Sequence, residues 1–421
     1  MNTKICSTYG GVLTLELNRL TRDVDQMGRA MTSRREELAG RAAEAGSVLA
    51  SQPQVTKELL QKIETARRID EWRRGAVPLG NRLDERRRAD FAVPRAVLIA
   101  ADGSQIFPDR SAVTLYYLLN IGAIVFREGS GAAPACISQP TLYYRDEELY
   151  DADGQLRTEE YVGALRNRLE LATLADLAVA EREAMGGDLS TPIVVLIDGP
   201  LLPWIRSGTD NEQDARAEID FFITQMQRLR AVQAIPIGYI DRPRSAYVLR
   251  ILELIDMPLE EITRDKLRFG PFVGLTDGQL FESLRPGERT GLFVPNSRAN
   301  ERYEARSATE DMPGDRITFC YANMARQGRN EEAELARLEM PGWVAGRPDL
   351  IDVAQSVIAA NCEPGPFPYV LARAHELALV TDDERAALDD LVSQIMWRNG
   401  LTPQLSTKAW TKQLTRRPRR S

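Results

Sequence analysis

Two short apolar runs, Val97-Leu98-Ile99-Ala100-Ala101 and Ile193-Val194-Val195-Leu196-Ile197, each stop at an aspartate followed by glycine, Asp102-Gly103 and Asp198-Gly199. Unbroken runs of this length read as strands buried on both faces, and such strands belong to sheets that helices cover on both sides. Between them, residues 157–185 carry Leu165, Leu169, Ala172 and Leu174 among charges, as a helix would. A second helical stretch, about 212–233, leads into the apolar run 235–240. Strand, helix, strand, helix, strand predicts an α/β core whose later strands lie parallel to the first. Asp102 and Asp198 then share one edge of the sheet, the edge where open α/β sheets place their sites.

Around this core, residues 113–126 are β-branched and aromatic enough for one or two further strands, and 141–144 predict another. Beyond Asp241, short strands (about 291–294, 316–323 and 334–339) alternate with helices at about 348–360, 368–380 and 383–399. Upstream, residues 12–76 predict two amphipathic helices broken near Gln52-Pro53, an arm packed on the core or on a second subunit. An arginine-rich stretch (Arg82, Arg86, Arg87, Arg88) joins arm to core.

Counts narrow the chemistry. The net charge of −7 argues against a general basic coat for nucleic acid or membrane, although a local basic groove is compatible with it. The four cysteines (Cys6, Cys136, Cys320, Cys362) form no C-x-x-C pair, which argues against a zinc ribbon or a redox dithiol. A single histidine, His375, excludes H-E-x-x-H proteases. Neither a G-x-x-x-x-G-K-[ST] loop nor a G-x-G-x-x-G after a strand occurs, so work that needs ATP would need a partner. No apolar run is long enough for a membrane span and the N-terminus becomes charged early, so a cytoplasmic protein without membrane contact is expected.

Chemistry must therefore lean on carboxylates. Acids converging in a dry pocket repel one another unless a cation neutralises them, and hard oxygen ligands suit Mg²⁺ or Mn²⁺. An Asp-Gly dipeptide alone is commonly a turn; Asp277-Gly278, with no comparable apolar run before it, is read that way. The pair Asp102 and Asp198, with a helix between them able to supply a third carboxylate, is different. Glu170 is the first choice, with Glu181 and Glu183 as alternatives. An acid, a helix-borne glutamate and a second acid in that order are similar to the arrangement of RNase H-like nucleases. His375 sits in a helix opened by Pro368 and could pack, ligate a metal or shuttle a proton. Arg373 is its nearest basic neighbour, and Tyr369 could pack or meet substrate. Lys408 to Ser421 contains no acid, and Lys408 and Lys412 would share a helix face. That stretch either contacts phosphates or is a solvated terminus.

The string at this point resembles the NurA nuclease family, the DNA-end-processing partner of the HerA hexameric ATPase. The resemblance is carried by Ala101-Asp102-Gly103-Ser104, Leu196 to Leu201, Gly238 to Ser245 (GYIDRPRS), Leu275 to Phe281 (LTDGQLF), Gly287 to Thr290, Arg337 to Trp343 (RLEMPGW), Pro366 to Glu376 (PFPYVLARAHE) and Ser406-Thr407-Lys408. It implies an RNase H-like mixed sheet core with an N-terminal helical arm and additional C-terminal helices. The implied division is an arm at 1–90, a nuclease domain at 91–412 and a basic tail at 413–421. It further implies a Mn²⁺-dependent deoxyribonuclease (Mg²⁺ being the alternative ion), homodimeric, cutting DNA from 5′ ends and within single strands, fed by a HerA-type ATPase. Asp102, Glu170, Asp198 and His375 are the implied metal and catalytic residues; Ser104, Tyr369, Arg373, Lys408 and Lys412 are the expected substrate contacts. Pro200 departs from the family's usual Asp-Gly-Ser, and Phe367 stands where members often show tyrosine. Three rival readings are a non-catalytic scaffold docked on an ATPase or nucleic acid, a glycosidase-type acid pair working without metal, and a guide-directed nuclease preferring a heteroduplex.

Overall fold

The computed structural model describes residues 17–70, 75–89, 95–109, 114–202, 212–309, 313–325, 334–362, 365 and 367–401. Lys408 and Lys412 lie outside the described residues. Among the described residues eleven strands form one mixed sheet: β1 (Ala76–Pro78), β2 (Arg86–Arg88), β3 (Ala96–Ile106), β4 (Tyr117–Glu128), β5 (Ala135–Tyr143), β6 (Ile193–Asp198), β7 (Ala234–Asp241), β8 (Glu288–Thr290), β9 (Phe293–Pro295), β10 (Ile317–Asn323) and β11 (Leu335–Pro341). The order is β1-β9-β10-β11-β7-β6-β3-β4-β5, with β8 pairing β10 and β2. β3, β6 and β7 run parallel, β4 is antiparallel to both β3 and β5, and β11 is antiparallel to β7.

The two apolar runs become β3 and β6 because both faces are covered. On one face Leu98, Ala100, Val194, Leu196 and Ile237 pack with Val370, Leu371 and Ala374 of the Tyr369–Ala378 helix and with Ile351 and Ile358 of the Pro348–Asn361 helix. On the other, Val97, Ile99, Ala101, Ile193 and Val195 meet Leu174, Ala175 and Ala178 of the Glu159–Ala184 helix and Phe222, Met226 and Leu229 of the Glu212–Ala231 helix. Strand residues alternate between faces. Asp102 and Asp198, two positions beyond Ala100 and Leu196, therefore fall on the Tyr369–Ala378 side, while Gly103 faces the Glu159–Ala184 helix.

Of the apolar run 113–126, the residues from Tyr117 on form one strand, β4, and β5 begins earlier than 141, its outer residues exposed at the sheet edge where no apolar pattern is needed. The N-terminal segment forms the helices Thr21–Ser51 and Lys57–Ile69, broken at Gln52-Pro53, with Thr56 capping the second. β1 and β2, three residues each, join this segment to the sheet through β9 and β8. No helix among the described residues is long and apolar enough to cross a membrane.

Asp277 is structural, as its turn-like sequence suggested. Fully buried, it accepts the Val248 and Leu249 amides at the start of the Leu249–Ile255 helix and the Tyr321 hydroxyl at 2.6 Å. Removing an acceptor from three buried donors costs about 3 kcal/mol, the expected loss for Asp277→Ala in urea denaturation. Burial pushes this carboxyl up to about 6 against the pull of those donors. Because the folded state holds the proton more tightly than the unfolded chain, Asp277 contributes stability that is complete below its unfolded value and lost as pH rises through about 6. The stability advantage of the parent over Asp277→Asn should thus be larger at pH 4 than at pH 7, by on the order of 2 kcal/mol. An advantage equal at both pH values would contradict this.

Candidate active site

The end of β3 presents Asp102 half-buried, its Oδ1 accepting the Gly103 amide at 2.8 Å and its Oδ2 lying 2.7 Å from His375 Nδ1. The imidazole is largely exposed, 65% for its side chain, and with Nδ1 committed to Asp102 the other ring nitrogen, Nε2, is left for a ligand or a proton.

What holds His375 there is a set of contacts the sequence did not advertise. Gly122 of β4 lies directly across from Asp102 in the β3–β4 register. A Cβ at Gly122 would stand 2.2 Å from Ala378 N and 2.5 Å from Leu377 C, so the end of the helix rests on bare backbone. Two side chains then tie it down: Asn120 Nδ2 donates to the Leu377 and Ala378 carbonyls (3.2 and 2.8 Å), and Ser104 Oγ donates to Ala378 O at 2.5 Å. Ser104, expected at the substrate, thus has its hydroxyl engaged in fastening sheet to helix.

Glu170 approaches from the opposite face. A Cβ at residue 103 would stand 2.6 Å from Glu170 Oε1, so Gly103 opens the gap through which this carboxylate nears the sheet end. Arg166 Nε is 3.1 Å from Glu170 Oε1, yet the guanidinium directs its hydrogen bonds to Gln105 and Asn167. Glu170 Oε1 is consequently buried without a hydrogen-bond partner. Burial pushes the Glu170 carboxyl up to about 8; Arg166 opposes the rise, and the charges of Asp102 and Asp198 add to it. The Asp198 carboxyl is also raised, by burial and then by Asp102, with His375 opposing and Asp241 adding. Glu181, an alternative to Glu170, pairs with Arg127 at 2.5 Å.

A family model for the NurA domain matches residues 96–380, from the first residue of β3 to just past the helix that carries His375. The chain belongs to the NurA family. The crystal structure of the NurA nuclease from Sulfolobus solfataricus aligns with a TM-score of 0.43 and 11% identity, covering 80% of this chain and 92% of that one. No curated protein matches the sequence.

Within this NurA domain the four expected residues do not arrive as a finished cage. Asp102 and His375 meet directly, and Glu170 and Asp198 lie close enough for their charges to be felt. Among the described residues no three His, Cys, Asp or Glu side chains are grouped closely enough to enclose an ion. The donor set nonetheless fits a hard divalent cation: carboxylate oxygens and one imidazole, with a buried carboxylate oxygen that receives no hydrogen bond and has only the Arg166 charge beside it. The sequence reading missed Asp241, which ends β7 as Asp198 ends β6 and adds to the charge around it. Its signal was available, because the apolar run 235–240 also stops at an aspartate. Of the remaining expected contacts, Tyr369 sets its ring edge-on to Phe126 with centroids 6.0 Å apart, and Arg373 donates to Glu376 at 2.6 Å on the surface. Phe367 packs edge-on against Tyr239, a contact that needs no hydroxyl.

Proposed function

We propose that this NurA chain is a divalent-metal-dependent deoxyribonuclease that hydrolyses phosphodiester bonds. The observation that carries the reading is the cluster of three acids within the matched domain, in which a Glu170 oxygen is buried without a hydrogen bond, feels the charges of Asp102 and Asp198 and has only the Arg166 charge to oppose them. A strand-end acid, a glutamate on the crossover helix and an acid at the end of the next parallel strand support an RNase H-like core. Asp102, Glu170 and Asp198, with His375, would hold Mn²⁺ or Mg²⁺. Such an ion supplies positive charge to the phosphoryl oxygens and acidifies water. The chain's own residues do the rest. Asp102 fixes the imidazole through Nδ1, which leaves Nε2 either to join the carboxylates around the ion or, when protonated, to give a proton to the departing 3′ oxygen. Burial raises the carboxyls of both Glu170 and Asp198, so a cation held between them would favour their charged forms.

The setting we propose is DNA end processing in double-strand break repair: a homodimer acting with a HerA-type ATPase that feeds DNA, cutting from 5′ ends and within single strands. The experiment is cleavage of 5′- and 3′-labelled single-stranded and duplex DNA with Mn²⁺, Mg²⁺ or EDTA. Metal-dependent products, with end-dependent ladders giving polarity, are expected. No cleavage with either ion, even with the cognate ATPase added, would leave the scaffold reading standing; metal-independent cleavage of glycosidic substrates would replace it with an acid pair.

A further inference from the structure

Among the motifs that carry none of the four proposed ligands are the segment from Gly238 to Ser245, the segment from Leu275 to Phe281 and the segment from Arg337 to Trp343. The fold joins them in one buried chain of polar contacts. Glu339 and Arg337, both on β11 and both buried, pair at 2.7 Å. Arg337 Nη1 donates to Ser245 Oγ at 2.9 Å, Ser245 meets the Tyr321 hydroxyl at 3.0 Å, and Tyr321 donates to Asp277. Tyr247 and Phe319 flank the Arg337 guanidinium, with ring centroids 5.1 and 5.7 Å away.

A buried ion pair is weak as a stabiliser, since its desolvation offsets most of the attraction. Its other end shows what it does. Glu339 Oε2 accepts the Leu201 amide at 2.9 Å, three residues past Asp198. The register places Glu339 directly across from Gly238 of β7, and a Cβ at Gly238 would stand 2.8 Å from Gly199 O and 2.9 Å from Leu201 N. The turn after Asp198 therefore lies over a bare stretch of β7. It is held from one side by Gly199 N donating to Tyr239 O at 2.8 Å and from the other by Glu339. Gly199 itself has a φ of +108°, which favours glycine, so the turn is set by backbone shape and these two anchors.

We propose that Glu339, oriented by Arg337, is a positioning residue for Asp198: its carboxylate fixes the Gly199–Leu201 turn and so sets where the Asp198 side chain stands. The functional half of this proposal rests on the nuclease reading above. The test uses the full chain as Glu339→Ala, as Glu339→Gln, which keeps an acceptor for the Leu201 amide, and as Ile63→Ala, a core truncation in the N-terminal helical layer remote from the turn. Two readouts are taken: amide hydrogen exchange at residues 199–201 without metal, and Mn²⁺ affinity by calorimetry with kcat and KM on single-stranded DNA.

Glu339→Ala should speed exchange at Leu201 at least tenfold, weaken Mn²⁺ binding about tenfold and lower kcat with KM within twofold. Glu339→Gln should recover most of each, and Ile63→Ala should lose thermal stability while keeping Mn²⁺ affinity within twofold. Unchanged exchange and Mn²⁺ affinity in Glu339→Ala would overturn the proposal. Should Glu339→Ala fail to fold, the double variant Arg337→Met with Glu339→Leu decides, since it replaces the buried pair with apolar side chains and offers the Leu201 amide no acceptor: a loss of Mn²⁺ affinity no greater than that of Ile63→Ala, with exchange at Leu201 unchanged, overturns it too. A parent that binds no Mn²⁺ and cuts no DNA overturns the nuclease reading and the functional half with it, while the exchange data separately decide whether Glu339 holds the turn.

Discussion

Asp102→Asn should lose cleavage by about 10³-fold or more while its apoprotein remains as stable as the parent, or becomes slightly more so. Asparagine keeps the side-chain volume and an acceptor for the Gly103 amide, so the strand end has no reason to rearrange. It loses the charge that pairs with His375 and that would help to bind a cation, and losses of that kind are worth about 10²–10³ in rate for a single group. Two groups depend on Asp102 here. The stability argument has the opposite sign: Asp102 adds to the charge that raises both Glu170 and Asp198, and neutralising it relieves that repulsion when no metal is present. Urea midpoints in EDTA should therefore match or exceed the parent's. With Mn²⁺ at 100 times its Kd, the parent should gain about 2.7 kcal/mol by mass action and the variant much less. Cleavage within tenfold of the parent would remove Asp102 from the site; a collapse in stability would show that its role is structural.

The acids at β3 and β6 were legible because two facts visible in sequence combine: an apolar run buried on both faces, and a helix long enough to return the chain for a parallel strand. Glu170 was legible only in part. The 26-residue helix Glu159–Ala184 carries several acids, and Glu181 stands about 16 Å further along its axis. Which glutamate nears the strand ends depends on helix-to-sheet register, and the residue that marks it, Gly103, reads in sequence as a simple turn glycine. Three-residue strands such as β1 and β8 have too few residues to show a period, and they form because a neighbour is already in place. Contacts of long range were the least legible. The bond from Leu201 to Glu339 spans 138 residues and involves a backbone amide, about which side-chain types are silent.

Gly122→Ala tests the same point from the opposite side, since it adds one methyl group where no chemistry occurs. An alanine Cβ would meet Ala378 N at 2.2 Å, Leu377 C at 2.5 Å and Ala374 O at 2.6 Å, all backbone atoms of the His375 helix or its end. Backbone cannot give by rotating a side chain, so the helix must move away by about 1 Å to restore ordinary contact. That movement stretches the bonds from Ser104 and Asn120 to the Leu377 and Ala378 carbonyls, and overpacking of this kind costs about 1–3 kcal/mol. It also separates His375 from Asp102, which faces Gly122 across the β3–β4 pairing. Misplacing a reacting group by about 1 Å is worth on the order of 10²-fold, and that is the expected loss in single-turnover cleavage, with the far-ultraviolet spectrum unchanged. Asn120→Ala should move in the same direction but less, because it releases one anchor without displacing the helix. If Gly122→Ala cut DNA at the parental rate while losing the expected stability, the Asp102–His375 contact would be dispensable, and the proton would have to come from a group other than this imidazole.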